Sequence, residues 1–307
     1  MSFYYDKDAQ GIVTVTMDMA GQSANTMSEA YHLLMGETVS RLEAEEGLKG
    51  VVIASAKKTF FAGGDLKGFL AMDRADDAYL AWLEKDKGYL RRLEKLPVPV
   101  VAAINGAALG GGFEICLACN HRILSVHPSA IVGLPEVTLG LLPGAGGVVR
   151  LTALLGFEKA LPYLTQGLRL TPEEALRDGF VDALSSAPDE LVAEAKAWIL
   201  ANPDASTQPW DRPGFRHPGD AAKVDAVALE AEEALAGRPL STAARKTLQI
   251  ALKSLTIPFE AALRYESELF CTLLGTPENK AAIQAFFTAN AERKARAEQK
   301  AASATTA

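Results

Sequence analysis

Positive charge and cysteine are both scarce in this chain. Its 307 residues hold 31 Lys and Arg against 38 Asp and Glu, a formal net charge of −7. Binding to nucleic acid or an anionic membrane surface relies on clustered cations that displace counterions, so neither is expected as the main partner. Three cysteines, an odd number in a long chain, supply no disulfide framework. Cys116 and Cys119 share one face of an apolar segment with no second pair or histidine cluster beside them, so no metal site is expected. No uninterrupted apolar run approaches the roughly eighteen residues of a membrane span. The opening MSFYYDKD carries early acids where a secretory signal has its apolar stretch. These absences lead to the expectation of a cytoplasmic enzyme. Two nucleotide-binding fingerprints are missing as well. Gly106, Gly110, Gly111 and Gly112 do not have Gly-x-Gly-x-x-Gly spacing, and the Gly144-Ala145-Gly146-Gly147 run has Val149 where the last glycine belongs. No Gly-x-x-x-x-Gly-Lys-Ser/Thr run occurs.

What is present belongs to an ordinary globular protein, 49% apolar and 22% charged. Gly11–Met19 alternates like a half-buried strand, and Ser28–Glu46 has helical spacing behind a Ser28 cap. Gly50–Ala54 and Pro97–Ile104 read as buried strands, Leu70–Leu96 as one or two amphipathic helices, and Thr171 with Glu174 as a capping box. An α/β core is therefore expected over residues 1–202. Pro, Gly, Asp and Ser crowd together in 203–220, a candidate linker or surface excursion. Helical patterns fill 221–295, including one over Ala221–Leu235, and residues 296–307 are expected to be a disordered tail.

Three segments carry the chemical signal. In the first, β-branched residues end at Gly110-Gly111-Gly112 and an apolar helix follows with Glu114 among Phe113, Ile115 and Leu117. Glycines leading into a helix expose unpaired backbone N–H groups that hold negative charge, and the carboxylate beside them suggests an oxyanion site with an acid or base. The second, Phe61-Ala62-Gly63-Gly64-Asp65, repeats the pattern, with Asp65 as a helix cap. The third runs from Gly133 to Gly147 and carries Glu136. Taken alone, Glu136 reads more readily as a helix-start acid than as a catalytic group, and either glutamate could instead be half of a buried ion pair with Arg122.

These three motifs, in this order from about Gly11 to Leu184, resemble the crotonase (enoyl-CoA hydratase/isomerase) superfamily. The wording at Gly133-Leu134-Pro135-Glu136 is most similar to the hydratase part of multifunctional fatty-oxidation subunits. The resemblance implies an α/β fold with a crotonase-type ββα spiral core and an α-helical C-terminal region. It implies an acyl-CoA substrate, with coenzyme A as part of that substrate and no separate cofactor. By the same resemblance the N–H groups of Gly64 and Gly111 form an oxyanion hole, Glu114 activates a water, Glu136 donates a proton and Gly144 N–H orients the water. Ala24, Asn25 and Ala62 match the coenzyme-binding stretch, with Lys57 and Lys58 as candidate phosphate contacts. The implied activity is addition of water to a 2-trans-enoyl thioester, with a Δ3-Δ2-enoyl-CoA isomerase or a non-catalytic acyl-CoA-binding subunit as alternatives. The implied assembly is a homo-oligomer, trimer or hexamer, with a dehydrogenase as a further partner.

Overall fold

A computed structural model of the chain describes residues 3–219 and 240–305; the helix expected over Ala221–Leu235 lies outside the described residues. The main sheet holds six strands: β1 (Tyr4–Lys7), β2 (Ile12–Met17), β3 (Gly50–Ser55), β4 (Val100–Ile104), β6 (His121–Ser125) and β9 (Ala183–Ser185). Only the β1–β2 pair is antiparallel. The parallel strands are covered on both faces, which is why they read as apolar runs without alternation. On one face, Val52, Val101, Ala103 and Ile123 pack on Leu191, Ala195 and Ile199 of the helix Leu191–Ala201. That helix sits so close that a Cβ at Gly50 would lie 2.3 Å from Ile199 Cγ2. On the other face Val51, Ile53, Val100, Ala102 and Ile104 enter the main core.

A second, smaller sheet runs beside the first. It contains β5 (Ala108–Leu109), β7 (Val132–Gly133) and β8 (Arg169–Leu170), and single bridges Phe61↔Ala108 and Met27↔Gly64 extend it. Each circuit of the chain thus adds a strand to the large sheet and then a short piece to the small one: β2 then Met27, β3 then Phe61–Gly64, β4 then β5, β6 then β7. This is the expected ββα spiral. Two-residue strands leave no periodicity in a sequence, and exposed, polar β1 shows no apolar alternation.

Helices close the circuits: α1 (Glu29–Glu43), α2 (Leu66–Ala71), α3 (Asp77–Glu94), α4 (Gly111–Leu117), α5 (Gly147–Leu155), α6 (Phe157–Gln166), α7 (Pro172–Arg177) and α8 (Leu191–Ala201). Four of these starts follow from capping side chains. Ser28 accepts from Tyr31 N–H, Asp65 from Lys67 and Gly68 N–H, Asp76 from Tyr79 N–H, and Thr171 with Glu174 forms the expected capping box. Helices α9 (Thr242–Ser254), α10 (Phe259–Cys271) and α11 (Pro277–Thr305) follow.

Two expectations need correction. The 203–220 segment is not a bare linker: Gln208 and Trp210 are buried, Trp210 stacks on Phe259 with ring centroids 5.1 Å apart, and Gln208 Nε2 donates to Ala118 O. An apolar ring placed among turn residues outweighed their composition. The tail expected to be disordered from 296 continues α11 to Thr305, in keeping with its alanine and charged residues of high helix propensity.

Candidate active site

The first two glycine motifs meet side by side. Phe61 N–H donates to Ala107 O at 3.1 Å, and Leu109 N–H returns the bond to Phe61 O at 3.2 Å. Gly63 (φ +101°) and Gly110 (φ +57°) take backbone conformations that side chains disfavour, and each leaves room for its neighbour. A Cβ at Gly63 would sit 3.2 Å from Leu109 O, and one at Gly110 would meet Glu136 Oε1 at 2.6 Å and lie beside Gly63 Cα at 3.7 Å. Gly64 and Gly111 directly follow these two residues and both line one cavity of ≈ 540 Å³. Gly111 opens α4, so its N–H has no acceptor within the helix. Neither amide donates in any hydrogen bond formed among the described residues.

Glu114 and Glu136 face the same cavity. Glu114, on the first turn of α4, is 2% exposed. Its Oε1 accepts from Ala145 N–H at 2.8 Å and Gly147 N–H at 2.6 Å. Burial, reinforced by the nearby Glu266 carboxylate, pushes its pKa up to about 7, against the pull of the two amides and of Lys87. Glu136 stands in the first turn of a short 3-10 helix, Glu136–Leu139, the helix-start position read from the sequence, and it also lines the cavity. Its Oε2 is fully covered and has no protein partner. Burial first, and the Glu114 charge second, hold it well above the usual carboxylate range. The two acids form a coupled pair, both held above the ordinary carboxylate range by burial and by each other's neighbourhood.

A third carboxylate, which the sequence reading did not single out, completes this arrangement. Fully buried Glu266 on α10 accepts from Gly146, Val148 and Val149 N–H at 2.7, 3.1 and 3.3 Å, and from Lys87 Nζ at 2.9 Å. Five consecutive amides, residues 145–149, are therefore divided between Glu114 and Glu266, and the third glycine motif serves as their cradle. Behind it Arg150, 0% exposed, binds Glu94 through Nε at 2.6 Å and Nη2 at 3.1 Å, and donates to Ala145 O at 2.7 Å. The signal for Lys87 and Glu266 was a charge on an apolar helical stripe: Leu83, Lys87 and Leu90 share one face, as do Leu263, Glu266 and Phe270.

The other sequence candidates divide. Gly144 and Ala62 line the cavity, and Phe270 covers Gly144 closely enough that a Cβ there would lie 2.9 Å from its ring. Ala24 and Asn25 are not among the lining residues. The Asn25 side chain is taken up by the fold, accepting from Met19 N–H and donating to Met17 O, Ser55 Oγ and Phe60 O. Lys57 is paired with Asp18 at 2.6 Å, and Lys58 is exposed. Arg122 pairs with Asp182 at 2.7 Å, correcting the expectation that it might partner a glutamate of the site. No cluster able to hold a metal ion and no helix long and apolar enough to cross a membrane occurs among the described residues.

Bare amides at Gly64 and Gly111, buried Glu114 and half-buried Glu136 thus share one cavity within a ββα spiral, and sequence comparison assigns the chain to a family. Residues 7–208 match the enoyl-CoA hydratase/isomerase family model, and the chain belongs to that family. It is 34% identical over 290 residues to the fatty acid oxidation complex subunit alpha of Idiomarina loihiensis, covering 92% of this chain and 40% of the relative. The subunit of the same name from Shewanella halifaxensis is 39% identical over 194 residues, 62% of this chain and 27% of that protein. The chain thus spans less than half the length of these relatives. Among solved structures, an enoyl-CoA hydratase/isomerase from Xanthobacter autotrophicus Py2 shares the fold with a TM-score of 0.66 at 24% identity, over 96% of this chain and 97% of the other.

Proposed function

We propose that the protein is an enoyl-CoA hydratase that adds water across the 2-trans double bond of an enoyl-CoA thioester to give the 3-hydroxyacyl thioester. The observation that carries this reading is that Glu114 and Glu136 open onto the one cavity lined by Gly64 and Gly111. In this reading the thioester oxygen lies between the two free amides. Glu114, as carboxylate, removes a proton from a water whose oxygen bonds to C3. The C2–C3 π electrons move onto the thioester as an enolate, which the amides stabilise, and Glu136 then delivers its proton to C2. Each such amide contributes roughly 2.7–4 kcal/mol at the transition state. The upward shift of both acids supports a pair that takes up and gives up protons nearer neutrality than free carboxyls do. Gly144 N–H, at the cavity wall, is free to orient the water.

Isomerisation of a 3-enoyl thioester needs one carboxylate that moves a proton, whereas hydration needs two flanking a water. Glu114→Gln separates them. Hydration of crotonyl-CoA is expected to fall by about 10²–10⁴-fold. Crotonyl-CoA hydration at the wild-type rate in this variant would overturn the two-acid mechanism, and efficient 3-enoyl turnover with no hydration in the wild type would favour the isomerase. A dehydrogenase partner and a trimeric or hexameric assembly belong to the same proposal. Light scattering of the purified chain, alone and with a 3-hydroxyacyl-CoA dehydrogenase, tests both.

A further inference from the structure

One wall of the cavity is not used by the hydration step. It lies where α1 packs against α3 and carries His32 and Asp86, which are 8% and 7% exposed and both line the cavity. His32 Nδ1 touches Asp86 Oδ1, but without the angles of a hydrogen bond, and neither side chain bonds to any other described residue. Aromatic rings frame the pair. Trp82 stands edge-on to His32 with centroids 4.5 Å apart, and Tyr79 lies 5.3 Å from Trp82. Neighbouring Lys87 is turned away to Glu266 and Leu263 O, so no described cation covers Asp86.

Buried polar groups that merely tie two helices together normally satisfy each other and the protein around them. Here the two groups meet only each other, His32 Nε2 and Asp86 Oδ2 have no described partner, and the pair opens onto the cavity. A carboxylate accepts, and a neutral imidazole has one nitrogen that donates and one that accepts. Together they complement a group that both donates and accepts. A hydroxyl fits that description. A carboxylate on the ligand would meet Asp86, with Glu29 also on the lining, and a plain alkyl tail would cover both groups without bonding either.

We propose that the His32–Asp86 wall is a recognition subsite for a hydroxyl carried on the acyl chain, so that the preferred substrate is a hydroxylated enoyl thioester. This rests on the hydratase reading for its assay but not for its binding chemistry. The experiment compares ω-hydroxy 2-trans-enoyl-CoA thioesters with the unsubstituted series, matched carbon for carbon, in the wild type, His32→Phe and Asp86→Leu. At one chain length the wild type is expected to favour the hydroxylated compound in kcat/KM by about tenfold or more. Both variants should bring that ratio close to one. A wild-type ratio at or below one across the series overturns the proposal, as does a ratio that neither variant moves. If Asp86→Leu fails to fold, His32→Phe and the wild-type ratio still decide. A purely structural pair would lower the melting temperature and leave the ratio alone. Calorimetric affinities of the saturated ω-hydroxyacyl and acyl thioesters read the subsite without turnover. Absence of hydration with a retained hydroxyl preference would count against the hydratase reading only.

Discussion

Glu114 occupies a position where charge is costly, and its environment makes two outcomes measurable. The dyad it forms with Glu136 should give a bell-shaped kcat/KM profile. Activity rises with pH as the pair loses its first proton and falls as it loses its second, both limbs lying above the ordinary carboxylate range. A profile flat through neutrality would remove Glu114 from the role of base. The same shift affects stability. The folded carboxyl titrates at about 7 against an ordinary 4.5, so the native state holds the extra proton between those values. Stability fully present below the lower value is lost as pH climbs through the higher. Glu114→Gln keeps an acceptor for the Ala145 and Gly147 amides and removes the charge. Its melting temperature should therefore gain on the wild type from about pH 5 to about pH 8, a difference calorimetry resolves. Gly111→Val tests the amide itself, because a Cβ there meets Met27 Sδ at 2.4 Å, beside the free N–H. Turnover should collapse while the circular dichroism of the fold persists. Glu114 was legible in the sequence because an acid among Phe113, Ile115 and Leu117 left only a buried ion pair as its bland explanation, and Arg122 turns out to pair with Asp182. Glu136 was not legible alone, since a first-turn acid is an ordinary helix start.

Between elements, the decisive contacts join residues far apart in the chain, and there the sequence was silent. Strands and helices with strong periodicity and side-chain caps could be read directly, as with Ser28, Asp65 and Thr171. Periodicity could not show that Lys87 of α3 reaches Glu266 of α10, or that Arg150 of α5 is sealed against Glu94 of α3. Both pairs are buried, and removing one member leaves an uncompensated charge. Glu94→Leu should cost about 3–5 kcal/mol in urea unfolding, and adding Arg150→Met should return part of it. Full stability in Glu94→Leu would show that Arg150 finds relief elsewhere. The short strands β5, β7 and β8 were invisible for a different reason. Two residues carry no period, yet with the Phe61 bridge they are what sets the two amide-bearing loops together.

For the molecule as a whole, the spiral was implied only through the family resemblance the three motifs carry, while the docking of Gln208 and Trp210 within the expected linker or surface excursion left no trace in composition. On the proposed hydratase reading, the purified chain should carry an enoyl thioester to the 3-hydroxyacyl product, and NADH should form from it once a 3-hydroxyacyl-CoA dehydrogenase is supplied. Absorbance at the NADH band, with and without that enzyme, checks this. The cradle at the start of α5 has one more effect on how the protein meets its surroundings. Helix beginnings commonly attract stray phosphate or sulfate, but here every N–H from 145 to 149 is already committed to an internal acid. Oxyanions of the buffer find nothing to grip there, and the enzyme should tolerate molar sulfate without competitive inhibition arising at that spot.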